Sequence, residues 1–255
     1  MGNINTEILE ELVLYSPTNG KKRLGRNEDG GYVVVGGYEY DCFISVGIAD
    51  EVSFEIDFYE ENLDIPSFAI EAVSKRPSLL PDEIVFIKKR VGFDDNEKMT
   101  TLSEYIENYN DVFIKMDIEG AEWGWINAFG GSLKKVKQLT FEAHAMFPHT
   151  LSERLKNAHC QGLQPSEFQD NILSGLRLLN DTHNLVHVYE NNSGPFIDIG
   201  GINYPSFPIL TYLRKDCETN GLNRAGLPIE GVDFPCYPKK PNHEMNIWPF
   251  VFPKE

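Results

Sequence analysis

The chain has 255 residues, 41% of them hydrophobic and 12% aromatic, with a formal net charge of −16 at pH 7. That content suffices for a packed core and excludes wholesale disorder, and the acidity argues against non-specific binding to nucleic acid or an anionic membrane. Cys42, Cys160, Cys217 and Cys236 lie far apart with no CxxC spacing, so neither a zinc site nor a disulfide framework is expected. No apolar run approaches the ~18 residues of a membrane span. The start, "MGNINTEILEELVLY", has neither the basic end nor the long apolar centre of a signal peptide. A cytoplasmic protein with reduced thiols is the expectation. Gly2 and Thr6 match a myristoylation pattern, but stable anchoring takes a second signal, and acidic residues follow instead.

Ile4, Ile8, Leu9 and Leu12 recur at helical spacing, which predicts a first amphipathic helix over 4–14. "LGRNEDGG" (24–31) is a loop by composition, and "YVVV", "GG" and "YEY" predict a short hairpin over 32–40. Strand-like runs follow at 42–48, 67–73, 83–93, 112–118 and 137–145. Helices are predicted at 53–62, at 100–109 with Thr100 or Thr101 as cap, and within 151–180. "LVHVYE" and "FPILTYLRK" complete the series. Apolar runs alternating with amphipathic helices predict βαβ units and a mostly parallel sheet. Six prolines from Pro228 to Pro253 make the end irregular. The organisation expected is one domain over 1–255: an N-terminal helix and hairpin (1–40), a core (41–215) and a tail (216–255) that wraps it.

In such sheets ligands sit beyond the carboxyl ends of the strands. Here those ends carry acids: Glu71, Asp117 to Glu122, and Glu142 to His144. A dinucleotide needs a glycine-rich turn for its pyrophosphate. "SVGIADEVSFE" has only Gly47, and no Walker pattern occurs. A nucleoside without phosphates fits better. Glu71 lies 24 residues beyond Gly47, near the ~20-residue offset of a ribose-binding acid. S-adenosylmethionine is such a ligand: cationic, with a ribose and no phosphate.

"EDGGYVVV", "SVGIADEVSFE", "TTLSEYI", "FIKMDIEGAEW", "LTFEAHA", "VHVYENN" and "ILTYLRK" resemble, in this order, the FkbM-type S-adenosylmethionine-dependent methyltransferases over roughly residues 23–215. "KMDIEGAEW" is the most specific element. The resemblance implies a Rossmann-like seven-stranded sheet with an antiparallel last hairpin. It also implies O-methylation, frequently of sugar or other polyol hydroxyls. Gly47 with its neighbours Ser45 and Ile48, and Glu71, would hold the cofactor; Asp117, Glu119 and His144 would face the methyl group. The resemblance alone lifts Asp29 and Tyr32 above ordinary turn chemistry. Two departures stand out: the first-strand loop lacks the extra glycines of many methyltransferases, and Tyr189-Glu190 stands where relatives often have a histidine before the Asn pair.

Transfer to an alcohol needs the hydroxyl aligned with the methyl and a group to take its proton. Asp117 is the first candidate for that base. It also suits a helix N-cap, and Glu119 and Glu122, the latter especially, suit a helix first turn. His144 is a second candidate, set against a plain buried histidine. Asp117, Glu119, His144 and Asn192 together could hold a divalent cation, a minority option. Asn192 and Trp123 are candidate acceptor contacts, with turn and core roles as their alternatives. The expected activity is thus O-methylation of a small-molecule or glycan acceptor. Two rivals remain: a catalytically inactive glycan-binding or scaffolding module on the same fold, and an NAD-dependent oxidoreductase.

Overall fold

Cys42–Val46 and Val112–Met116 are buried at every position, as strands of a parallel sheet covered on both faces must be. In this computed structural model, which describes residues 6–243 and 245–253, they are β1 and β4 of a seven-stranded sheet. Gly2 of the myristoylation pattern and Ile4 of the first predicted helix lie outside the described residues. The other strands are β2 (Ser67–Ile70), β3 (Val85–Ile87), β5 (Val136–Glu142), β6 (His183–Glu190) and β7 (Pro208–Arg214). Their order is β6-β7-β5-β4-β1-β2-β3. All neighbours are parallel except β7, which runs antiparallel to both β5 and β6. This is the mostly parallel α/β sheet that the apolar runs predict, with the antiparallel last hairpin that the resemblance implies.

The helices are α1 (Glu7–Glu10), α2 (Ser53–Glu61), α3 (Ser103–Ile106), α4 (Glu122–Phe129), α5 (Glu153–His159) and α6 (Pro165–Thr182). Apolar residues of α1, α4 and α6 build the core on one face of the sheet. On the other face Phe54 and Phe58 of α2 pack with Phe43 and Phe113, and the Phe43 and Phe58 rings stack at 4.1 Å. The two faces explain why the central strands read as continuous apolar runs and not as alternating ones.

Four local expectations fail. The helix predicted over 4–14 is confined, among the described residues, to Glu7–Glu10, and Leu14 already bridges to Leu185. Tyr32–Val35 pairs with the preceding Lys21–Leu24, not with 38–40. The run 83–93 breaks after Ile87, and Arg90–Val91 joins Met99–Thr100 in a separate ribbon. α3 begins only at Ser103, behind Leu102 in a left-handed conformation. The tail is irregular, as its prolines dictate. Thr219–Leu222 pairs with Tyr15–Pro17, and Leu227, Met245 and Phe250 are buried in the α4–α6 core. No helix among the described residues is long and apolar enough to cross a membrane.

His183, at the start of β6, is 1% exposed; its Nε2 is 2.7 Å from the Val136 carbonyl oxygen and its Nδ1 is 2.8 Å from Thr182 Oγ1. Burial, opposed by the Val136 carbonyl, pushes its pKa down to about 4. The unfolded chain therefore takes up this proton first as pH falls. Stability present above the ordinary histidine value should decline from there to pH 4, by about 3 kcal/mol from this residue. Urea titrations across that range should show a shallower decline in His183→Gln than in the wild type. Parallel curves would refute the assignment.

Candidate active site

The carboxyl ends of β1 and β4 meet at one glycine. The Asp117 amide donates to the Val46 carbonyl at 3.0 Å, and the chain leaves β1 at Gly47 with φ +73°. A Cβ there would lie 1.7 Å from the Asp117 carbonyl oxygen. Beneath this turn is a charge absent from the sequence-based site. Lys115, 4% exposed within β4, reaches the Gly47 carbonyl at 3.4 Å and Glu55 at 3.7 Å, and Glu55 also accepts from the Ser45 hydroxyl. A lysine inside an apolar strand run was the available signal, because a buried ammonium must be paired. Glu71, just past β2, accepts hydrogen bonds from the amides of Val73 (2.6 Å), Ser74 (3.2 Å) and Ala49 (3.2 Å), so it ties the loops after β1 and β2 together. Gly47 and Glu71 line a cavity of about 260 Å³ that Arg90, Val91 and Ile118 help enclose.

A second cavity, about 270 Å³, opens beside the first over the ends of β4, β5 and β6. Asp29, Glu142, His144, His159, Asn191 and Tyr237 line it, and Asp117 and Glu119 line both cavities. Asp117 is the hinge between them. Its Oδ2 accepts from the Tyr32 hydroxyl at 3.2 Å, while Oδ1 lies 3.8 Å from His144 Nε2.

His144 is held from behind. Its Nδ1 donates to Glu122 Oε1 at 2.9 Å, and the same oxygen accepts from the Ile118 amide at 3.0 Å. Glu122 is the expected first-turn acid of α4, but it is fully buried there and orients a histidine as well. This bond fixes the orientation of the ring and leaves Nε2 facing the cavity, with Glu119 at 3.5 Å and Glu142 at 3.8 Å. Burial lowers the pKa of His144, but Glu122, Glu142 and Asp117 together outweigh it and hold the imidazole well above its ordinary range. Burial and the Asp117 charge push Glu142 up to about 8 against the opposing pull of His144, and Asn191 donates to it at 2.8 Å. The arrangement can accept a proton at Asp117, offer hydrogen bonds to several oxygens, and keep charge in a restricted space.

The profile of the methyltransferase FkbM domain matches residues 26–158, more than half of the chain. The chain belongs to the FkbM methyltransferase family. No curated protein matches it. Among solved structures, the fibrillarin pre-rRNA processing protein of Methanococcus jannaschii superposes with a TM-score of 0.38 at 12% identity, over 69% of this chain and 67% of that one. Precorrin-6y C5,15-methyltransferase of Geobacter metallireducens GS-15 gives 0.36 at 13% identity, over 69% and 80%.

For an FkbM methyltransferase the donor is S-adenosylmethionine, and the first cavity fits it. Gly47, which carries no side chain, and the Glu71 carboxylate at the end of β2 line it together. The other predicted residues divide. Tyr32 is buried and positions Asp117. Asp29 lines the second cavity and not the first. The side chains of Ser45 and Ile48 line neither cavity: Ser45 is fully buried against Glu55, and Ile48 turns into the α2 core. Trp123, fully buried, donates to the His144 carbonyl at 3.1 Å, packs edge-on against Phe141 at 5.6 Å and lines neither cavity, the core position given as its alternative. Asn192 is turned away as well: it accepts from the Tyr237 amide at 2.8 Å and donates to the Tyr237 and Lys240 carbonyls, pinning the tail. Asn191 takes the place expected of it. Asp117 is no helix cap, because α4 starts five residues later with Ala121 as its N-cap.

Proposed function

We propose that this methyltransferase, acting as a single domain, transfers the methyl group of S-adenosylmethionine to a hydroxyl of a sugar or other polyol. The observation that carries the reading is the pair of adjoining cavities that share Asp117. When bound, the cofactor supplies a methyl group on a cationic sulfonium. Gly47 and Glu71 bind its nucleoside half, and the acids around the junction favour the positive charge. The second cavity, lined by Asp29, Glu142, Asn191 and Tyr237, supplies the mixed donors and acceptors that a polyhydroxylated ring needs. Asp117 takes the hydroxyl proton. Tyr32 holds the carboxylate in place, and the buried His144 beside it balances its charge.

Calorimetry with S-adenosylmethionine and S-adenosylhomocysteine, with NAD as control and with EDTA present, tests the cofactor half. Both adenosyl ligands should bind and NAD should not. Glu71→Gln should weaken both by about tenfold, because it exchanges a charged acceptor for a neutral one. Absence of adenosyl binding would instead favour an inactive module. Release of S-adenosylhomocysteine on addition of saccharides, against amine and thiol acceptors, tests the hydroxyl assignment.

A further inference from the structure

We propose that Glu119, His144 and His159 form a binding site for one divalent transition-metal ion at the floor of the second cavity. His159, the last residue of α5, is remote in sequence from the other two and was outside the sequence-based ligand set. A close approach brings it there: Gly120 has φ +98°, and a Cβ on it would lie 1.9 Å from the His159 carbonyl oxygen. Glu119 Oε2 is 3.3 Å from His159 Nδ1 and 3.5 Å from His144 Nε2, and the three ligand atoms all lie within 4.8 Å of one another.

Atoms bound about 2.0–2.2 Å from a common ion sit about 3.0–3.5 Å apart, so two of the three separations already have the span that an ion would impose. Hydrogen bonding does not explain the set equally well. His144 is only 4% exposed, and the nearest carboxylate oxygen to its Nε2 is at 3.5 Å. His159 Nδ1 is a buried atom with no hydrogen-bond partner among the described residues. The two rings stack at 5.0 Å, inclined by 20°, and Phe207 covers both edge-on.

Behind the site, the His144 Nδ1 to Glu122 bond is the carboxylate–histidine pair that orients a metal-bound imidazole. Asp117 Oδ1, 3.8 Å from Nε2, is placed to complete the coordination or to hold a ligand water. Two imidazole nitrogens with a carboxylate select manganese, iron, cobalt or zinc over magnesium. An ion here would polarise an acceptor hydroxyl next to Asp117. That use rests on the function proposed above; the site itself rests on the geometry.

Cobalt(II) is the probe, added to full-length protein stripped with a chelator. One equivalent should bind with visible d–d absorption, and zinc should displace it. Orienting partners of metal ligands are worth about 10–100-fold in affinity, so loss of a ligand should cost at least tenfold in both His159→Ala and Glu119→Gln. Glu119 is 72% exposed, so Glu119→Gln should keep the wild-type thermal midpoint; His159 is 12% exposed and stacked on His144, so His159→Ala is titrated at a temperature where circular dichroism shows it folded. Absence of d–d absorption in the wild type would overturn the proposal. So would unchanged affinity in both variants, which would assign the ion to the acidic surface. Binding of S-adenosylhomocysteine in EDTA is measured separately, so failure of the metal site and failure of the methyltransferase reading are distinguishable.

Discussion

Asp117→Asn should reduce turnover by about 10²–10⁴-fold while changing S-adenosylhomocysteine affinity little. The substitution preserves the size of the side chain and an oxygen that can accept the Tyr32 hydroxyl, now 3.2 Å from Oδ2. It removes the ability to take a proton, and general-base catalysis contributes about that factor. The backbone that positions Gly47 is untouched, since the Asp117 amide still donates to Val46. Release of S-adenosylhomocysteine with a saccharide acceptor gives the rate, and calorimetry gives the affinity. A variant with near-wild-type turnover would exclude Asp117 as base. A variant that loses cofactor binding as well would make it a structural support of the first cavity.

Gly47→Ala should destabilise the protein by at least ~3 kcal/mol and abolish cofactor binding. Two penalties combine. A non-glycine residue at φ +73° is strained by about 1–3 kcal/mol, and the added methyl would overlap the Asp117 carbonyl at 1.7 Å. Relief requires the ends of β1 and β4 to separate. That breaks the Asp117 amide bond to Val46, displaces the Lys115 contact to the Gly47 carbonyl, and moves Asp117 itself. Gly131→Ala is the control, because nothing lies within 4 Å of its added Cβ and its φ is not positive. It should stay within about 0.5 kcal/mol of the wild type. Equal thermal midpoints for the two variants would mean that the β1–β4 junction is far softer than its packing indicates.

The residues already determine the sheet and the place of its site. Doubly covered strands read as unbroken apolar runs, so β1, β4 and β5 are legible to within a few residues. Glu71, 24 residues beyond Gly47, is legible because each residue follows directly on a strand and both line one cavity at the same sheet edge. Two of the acids after β4, Asp117 and Glu119, likewise come to line both cavities.

Tertiary structure alone decides which way each of these groups faces. Neighbouring residues at the end of β6 part company because the Asn191 amide bonds the Phe207 carbonyl: Asn191 turns to Glu142, and Asn192 to the tail. Glu122 and Glu119 are equally acidic in the sequence. The helix start carries Glu122 into the core behind His144, and the left-handed turn at Glu119 and Gly120 leaves Glu119 outside. His159 joins them only because α5 ends against that turn. Periodicity and turn chemistry act over a few residues and are written in the chain locally. The rotation of a loop and the meeting of distant segments depend on how the whole core packs, and no single stretch of sequence encodes that.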